Sequence, residues 1–275
     1  MNNALGLPPA SAALKDDKDF LWLNLRDLPY FRALLRSVEA NFYQNLDLPA
    51  PQLDIGCGDG HFASVTFDRP IDVGIDPWSG PIRKAARLGA YRRLVLGDAG
   101  KMPFPNNFFG SALSNSVLEH IPHVEQVLSE ANRVLRSGAP FVFCVPNPAY
   151  YTELDISARL RRLKLHGLAE AYTRWFGRIS RTVHADPPDV WQGRLETAGF
   201  QIELWWHYFS PQALHVLEWG HYFGLPTLLP HFLFRRWILV PTHWNLALTE
   251  RLVRPYASTK PDPRGTYTFF IAKKI

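Results

Sequence analysis

The sequence predicts an α/β fold, a mostly parallel sheet with helices on both faces, and three observations carry that prediction. From Pro51 onward, short apolar runs alternate with helix-like stretches. The runs are apolar nearly throughout, as strands covered on both faces are. The first of them ends in a glycine-rich turn, Gly56-Cys57-Gly58-Asp59-Gly60, of the kind that leads a parallel strand into its crossover helix.

The elements follow in chain order. Residues 20–43, FLWLNLRDLPYFRALLRSVEANFY, have helical apolar spacing and form either a lid or a helix packed on the sheet's flank. QLDI and IDVGID are the first two strands, SGPIRKAARLGA is the helix after them, and RRLVLGD, FFGSALSNS and APFVFCVP supply the next three strands. Between the last two, Val124, Val127, Leu128, Ala131, Val134 and Leu135 recur at three- and four-residue steps, which predicts a helix, with Gly138 as its C-cap. ADPPDVWQGRLETAGF reads as a helix with prolines in its first turn and Gly199 at its end. QIELWWHYF and TYTFFIAKKI have strand-like patterns, and the latter closes the sheet.

This order divides the chain into an N-terminal helical region (1–49), a core (50–146), an insertion (147–186), a core helix and strand (187–209), a second insertion (210–264) and a closing strand (265–275). Both insertions leave from the carboxyl edge of the sheet. They are therefore expected to roof whatever binds there.

Composition bounds the function. Hydrophobic residues make up 47% of the 275 residues and charged residues 20%, which supports a true core and excludes general disorder. Cys57 and Cys144 lie in apolar runs and cannot form a zinc cluster by themselves, so they are expected as buried free thiols in a reducing compartment, with no metal site. The opening residues lack the basic start and unbroken apolar stretch of a secretory signal, so the expected location is cytoplasmic.

The net charge of +5 is uneven: residues 1–149 hold 14 basic and 15 acidic side chains, residues 150–275 hold 16 and 10. Seven of the nine tryptophans also fall in the second half. There, the uncharged stretch 219–234 is shorter than the ~20 apolar residues of a membrane span and contains Pro226, Pro230 and His231. WWHYF, WGHYFGLP and FLFRRWILVPTHW fit either a surface that touches a membrane peripherally or a buried cap with paired arginines. Nucleic acid is not an expected partner, because the charge excess is modest and no recognition module is present. Arg159, Arg161, Arg162 and Lys164 read as a solvated helix face.

In such sheets, ligands bind at the carboxyl ends of the strands. Asp54 and the glycine turn stand after the first strand, Asp76 after the second, Asp98-Ala99 after the third and Ser114-Asn115-Ser116 after the fourth. A carboxylate at the end of an apolar strand is costly without partners, which singles out Asp54 and Asp76. Asp59 reads better as a turn or capping residue. A dinucleotide fingerprint would need Gly or Ala where His61 stands.

LDIGCGDGHFA, VGIDPW, GDAGKMPFPNNFFGSALSNSVLEHI and the strand ending FVFCVP resemble the class I S-adenosylmethionine-dependent methyltransferases. The resemblance is to their small-molecule and lipid branch, which includes quinone-biosynthesis enzymes. It covers roughly residues 50–147 and implies a Rossmann-like sheet of seven strands, the final one antiparallel, with helical cap insertions. It implies S-adenosyl-L-methionine as cofactor: Asp54, Gly56, Cys57, Gly58 and Gly60 around its methionine part, Asp76 with Pro77 at the ribose, Asp98 and Ala99 at the adenine, and the Asn115 backbone at the sulfonium. A cationic sulfonium on a polar nucleoside calls for carboxylates and carbonyls, not a P-loop lysine. PNPAY resembles a nucleic-acid amino-methyltransferase signature but follows the wrong strand.

The resemblance implies methyl transfer to a small, hydrophobic acceptor such as a lipid, quinone or polyketide, by in-line displacement. A cofactor-binding protein without turnover is the competing reading. His120, Tyr151, His207 and Tyr208 are candidates for the acceptor pocket, with no residue assigned as catalytic base.

Overall fold

The computed structural model describes residues 18–44 and 46–275. Residues 1–17, which include most of the stretch inspected for a leader and the start of the N-terminal region, lie outside the described residues, as does residue 45. The helices are α1 (Phe20–Leu25), α2 (Tyr30–Gln44), α3 (His61–Thr66), α4 (Ser79–Leu88), α5 (Val124–Val134), α6 (Ala149–Thr152), α7 (Asp155–Arg162), α8 (His166–Ser180), α9 (Pro188–Thr197), α10 (Pro211–Phe223), α11 (Leu228–Phe234) and α12 (His243–Val253). The strands are β1 (Gln52–Ile55), β2 (Ile71–Asp76), β3 (Tyr91–Leu96), β4 (Ser111–Asn115), β5 (Pro140–Pro146), β6 (Phe200–Tyr208) and β7 (Tyr267–Lys274).

The strands form one seven-stranded sheet in the order β3-β2-β1-β4-β5-β7-β6. β1 to β5 pair in parallel, and β7 runs antiparallel between β5 and β6. This is the predicted Rossmann-like architecture. The strand order reverses between β1 and β4, and it is beside such a reversal that the carboxyl ends of the strands open a crevice.

Two apolar layers hold the sheet, and strand alternation decides which residue joins which. Leu53, Ile55, Ala112, Phe141, Phe143 and Phe270 face a layer closed by α5 and α9. Trp191 of α9 is fully buried there, tilted against Phe143 and Phe270. Leu113, Val142, Cys144 and Phe269 face the opposite layer, closed by α2 and joined by Phe176 of α8, Leu214 and Leu217 of α10 and Leu246 of α12. Both insertions thus pack on the α2 side of the molecule.

Two local expectations need correcting. α5 is capped at Leu135, and Gly138 instead turns at φ +77° and donates to the Lys274 carbonyl, tying the turn to β7. WWHYF does not belong to a cap surface: it lies in and just after β6, where Trp206 and Tyr208 are buried against Phe42 and Phe269. A central antiparallel partner, β7, gives that strand a buried face that the run of aromatics alone does not reveal.

Candidate functional site

The predicted ligand residues stand together along the carboxyl edge of β1 to β4. Asp54 is buried and its Oδ2 accepts from the Tyr91 hydroxyl at 2.6 Å. Burial pushes its carboxyl up to about 7, against the lowering effect of that hydrogen bond. Asp76 accepts from the Gly58 amide at 3.0 Å on one oxygen and from the Trp78 amide at 2.9 Å on the other. Pro77 and Asp98 are exposed beside it, Asp98 accepting from the Gly100 amide at 2.8 Å, and Ala99 is buried.

The glycine turn is more self-contained than expected. The amides of Gly56 and Cys57 donate to the Ile75 carbonyl, that of Gly58 to Asp76, and that of Gly60 to the Cys57 carbonyl. A Cβ on Gly56 would come within 2.3 Å of the Val117 side chain, so this glycine serves internal packing as well as a φ of +78°. Gly58 differs: a Cβ there would meet only a carbonyl oxygen at 4.0 Å. Its backbone therefore faces open space next to the Asp76 carboxylate. Asp59 accepts from the His61 amide at 3.2 Å as a turn residue does, while Gly60 is the N-cap of α3.

Asn115 ends β4 and is held from several sides. Its Nδ2 donates to Glu39 Oε2 at 2.9 Å, its Oδ1 accepts from the Cys144 thiol at 3.0 Å, and its carbonyl accepts from Arg36 Nη1 at 3.2 Å. Glu39, fully buried on α2, also accepts from Arg36 (3.0 Å), Ser116 Oγ (2.7 Å) and the Tyr208 hydroxyl (3.0 Å). Sequence patterning passes over Glu39. The available signal is an acid inside the apolar stripe of an amphipathic helix, which burial makes costly unless it is paired.

Next to Asn115 lies a cavity of about 230 Å³ beneath α2, α8 and α10. His120 lines it, with Glu119, Arg36, Tyr150 and Tyr267. The His120 Nδ1 lies 2.9 Å from the Arg181 carbonyl, which can only accept, so the proton sits on Nδ1 and Nε2 is bare. Tyr151 lines a neighbouring groove with His120 and donates to the Thr182 carbonyl at 3.2 Å. His207 lies outside the cavity lining, its Nδ1 2.8 Å from Thr268 Oγ1 and 3.2 Å from Asn147 Nδ2. Tyr208 is in the core, committed to Glu39. Glu119 was legible as a residue of the LEHI string but carried no signal of its own in the sequence.

The donor set suits the cofactor that the sequence implies. Asp54, Asp76 and Asp98 place three carboxyl groups along one edge, beside the open backbone of Gly58. Residues 53–143 match the family model described as "Methyltransferase domain". The chain is 32% identical over 159 residues to a fatty-acid O-methyltransferase of Mycolicibacterium smegmatis, covering 51% of this chain and 58% of that protein. It is 31% identical over 117 residues to a malonyl-[acyl-carrier protein] O-methyltransferase of Methylococcus capsulatus, covering 40% of this chain and 42% of that protein. The chain thus spans less than two thirds of the length of either relative. In fold it resembles an S-adenosylmethionine-dependent methyltransferase of Thermotoga maritima, with a TM-score of 0.53 at 15% identity over 93% of this chain and 92% of that one. The matched segment and these similarities make residues 53–143 similar to a methyltransferase domain, and the sheet order agrees with the fold of that solved structure.

Proposed function

We propose that the protein transfers a methyl group to a small, apolar, lipid-like acceptor held in the cavity beneath α2, α8 and α10. The observation that carries this reading is the position of the cavity: it adjoins Ser116, directly after the strand end at Asn115, and its walls include Phe31, Leu35, Ile179 and Leu217. The relatives whose names specify a fatty acid and a malonyl carrier support an acyl or lipid-like acceptor.

In this reading, Asp76 binds the ribose hydroxyls, Asp98 and Ala99 the adenine, and Asp54 and Gly58 the methionine end. The cofactor supplies an activated methyl group. The chain's part is to align the acceptor with that group and to exclude water, which the buried layer of α2, α8 and α10 side chains does. Turnover of labelled cofactor against a panel of lipid-like acceptors tests the reading, and tight cofactor binding with no turnover on any acceptor would refute it. Asp76→Ala is expected to weaken cofactor affinity at least about tenfold, because a carboxylate bonded to two hydroxyls contributes on the order of 1.5–3 kcal/mol per bond. Calorimetric titration measures this, and unchanged affinity would remove Asp76 from the ribose.

The second insertion extends the reading to a lipid surface. Among the described residues, no helix is long and apolar enough to cross a membrane. Yet Phe223, Leu229, Phe232, Phe234, Trp244 and Leu248 are all exposed, Phe232 at 73% and Trp244 at 77%. Residues 219–249 contain no acidic side chain, and Arg235 and Arg236 lie within them. An apolar face with a basic rim fits peripheral contact with an anionic bilayer.

A further inference from the structure

One residue lining the cavity next to Asn115 has a buried polar atom without a hydrogen-bond partner among the described residues. Glu119 is 3% exposed, lines the cavity, and its Oε2 has no hydrogen-bond partner among the described residues. A buried carboxyl oxygen left unpaired is costly, so a ligand that pairs with it recovers that cost. Arg32 also lines the cavity; it is exposed as a residue, while burial and the nearby Arg36 disfavour its charge and Asp59 favours it. Arg36 lies deeper, with Nη1 already shared between Glu39 and the Asn115 carbonyl.

We propose that the acceptor enters this cavity as an ionised carboxylate, taking hydrogen bonds from the Glu119 carboxyl and the Arg32 guanidinium. This inference rests on the reading of the cavity as the acceptor's seat and adds the chemical class of the group bound there. In the transfer, a carboxylate oxygen forms the new bond to the methyl carbon with its own lone pair. The methyl–sulfur bond breaks, its electron pair remaining on sulfur. The product is a neutral methyl ester, and no proton has to be removed, so no base is needed. Losing the negative charge also removes the Arg32 ion pair and favours release.

The protonation states around the cavity agree. Burial, with a smaller contribution from the neighbouring Glu39, pushes the Glu119 carboxyl up to about 8 against the lowering effects of a hydrogen bond from its own backbone and of Arg36. At neutral pH it therefore carries a proton and can donate. Burial lowers His120 and His221, leaving both neutral near pH 7. Burial raises Tyr150, Tyr267 and Cys144, so these also stay neutral. The guanidinium groups of Arg32 and Arg36 remain charged throughout. Between pH 6.5 and 9, Glu119 is thus the group facing the cavity whose charge changes.

Calorimetric binding of octanoate and of 1-octanol to the full chain, with S-adenosylhomocysteine present, tests the proposal without relying on turnover. Octanoate is expected to bind and to lose about tenfold in affinity between pH 6.5 and 9, as Glu119 ionises and repels it. Glu119→Gln retains an N–H donor and cannot ionise, so its octanoate affinity should be flat across that range. Arg32→Met, a change at an exposed side chain, should weaken octanoate at both pH values and leave octanol unchanged. Octanol binding at least as tightly as octanoate, or a Glu119→Gln variant with the native pH slope, would overturn the proposal. Octanoate binding as described without any methyl ester formed would instead count against the transferase reading alone.

Discussion

At the residue scale, the acids at the strand ends are the clearest case of side chains whose positions oppose stability. Asp54 stands in a wall of buried apolar residues with a single strong partner, Tyr91. Its carboxyl holds a proton more firmly in the folded chain, at about 7, than in the unfolded chain, near the usual carboxylate range. The folded state is therefore favoured at acid pH, and that advantage is lost as pH rises from about 4 to about 7. Asp54→Asn keeps an acceptor for the Tyr91 hydroxyl and cannot ionise. It is expected to gain stability over the native protein at pH 8, by an amount on the order of a few kcal/mol, while the two unfold at similar urea concentrations near pH 4.5. Urea titrations at the two pH values measure this. Equal stabilities at pH 8 would mean that the charged form has partners beyond Tyr91. The same logic explains why the acids were legible in the sequence: a carboxylate that closes an apolar run is conspicuous because its position is costly. Glu119 is no less buried, but it lies after the apolar run of β4, in a string where an acid is unremarkable.

At the element scale, α2 links the carboxyl end of β4 to the closing strands. Its Glu39 is bonded to Asn115 and Ser116 after β4 and to Tyr208 of β6, and it neutralises Arg36 on the next turn. Periodicity predicts a helix here but leaves open whether it is a lid or a flank. The structure gives it both roles: its apolar face, including Leu34, Val38 and Phe42, joins the core layer, while Phe31, Arg32 and Arg36 line the cavity. Periodicity could not resolve this because it locates a buried stripe and not the element it packs against. Most strands were legible for the opposite reason, since runs such as FVFCVP have no alternative burial. Glu39→Ala should destabilise the protein by about 3–5 kcal/mol, the range for removing one partner of a buried ion pair. Glu39→Gln should cost less, because the amide still accepts from Ser116 and Tyr208. Chemical denaturation of both variants gives the comparison, and a loss below about 1 kcal/mol for Glu39→Ala would show that α2 is held by its apolar face alone.

At the scale of the whole molecule, the uneven sequence corresponds to a division of labour. The near-neutral first half supplies the parallel strands β1 to β5, and the basic, Trp-rich second half supplies β6, β7 and helices α7 to α12, with its tryptophans not gathered on one surface. Trp191 and Trp206 are core residues. The outward apolar residues are concentrated in α11, α12 and the turns around them, and Lys84 and Arg87 of α4 border the same groove as His231, Arg235 and Trp237. Two separable forces should then bring this face to a bilayer. The basic rim draws it to anionic headgroups, worth about 1 kcal/mol per Lys or Arg near the surface and screened by salt. The apolar face holds it there by burial that salt does not weaken. Sedimentation with vesicles of phosphatidylcholine, with and without phosphatidylglycerol, should separate them. Arg235→Glu with Arg236→Glu is expected to abolish the preference for anionic vesicles. Phe232→Glu with Trp244→Glu is expected to remove the binding that persists at high salt. If native protein fails to sediment with either vesicle and runs as a dimer that these last two substitutions dissociate, the face belongs to a second copy of the chain and the membrane reading falls.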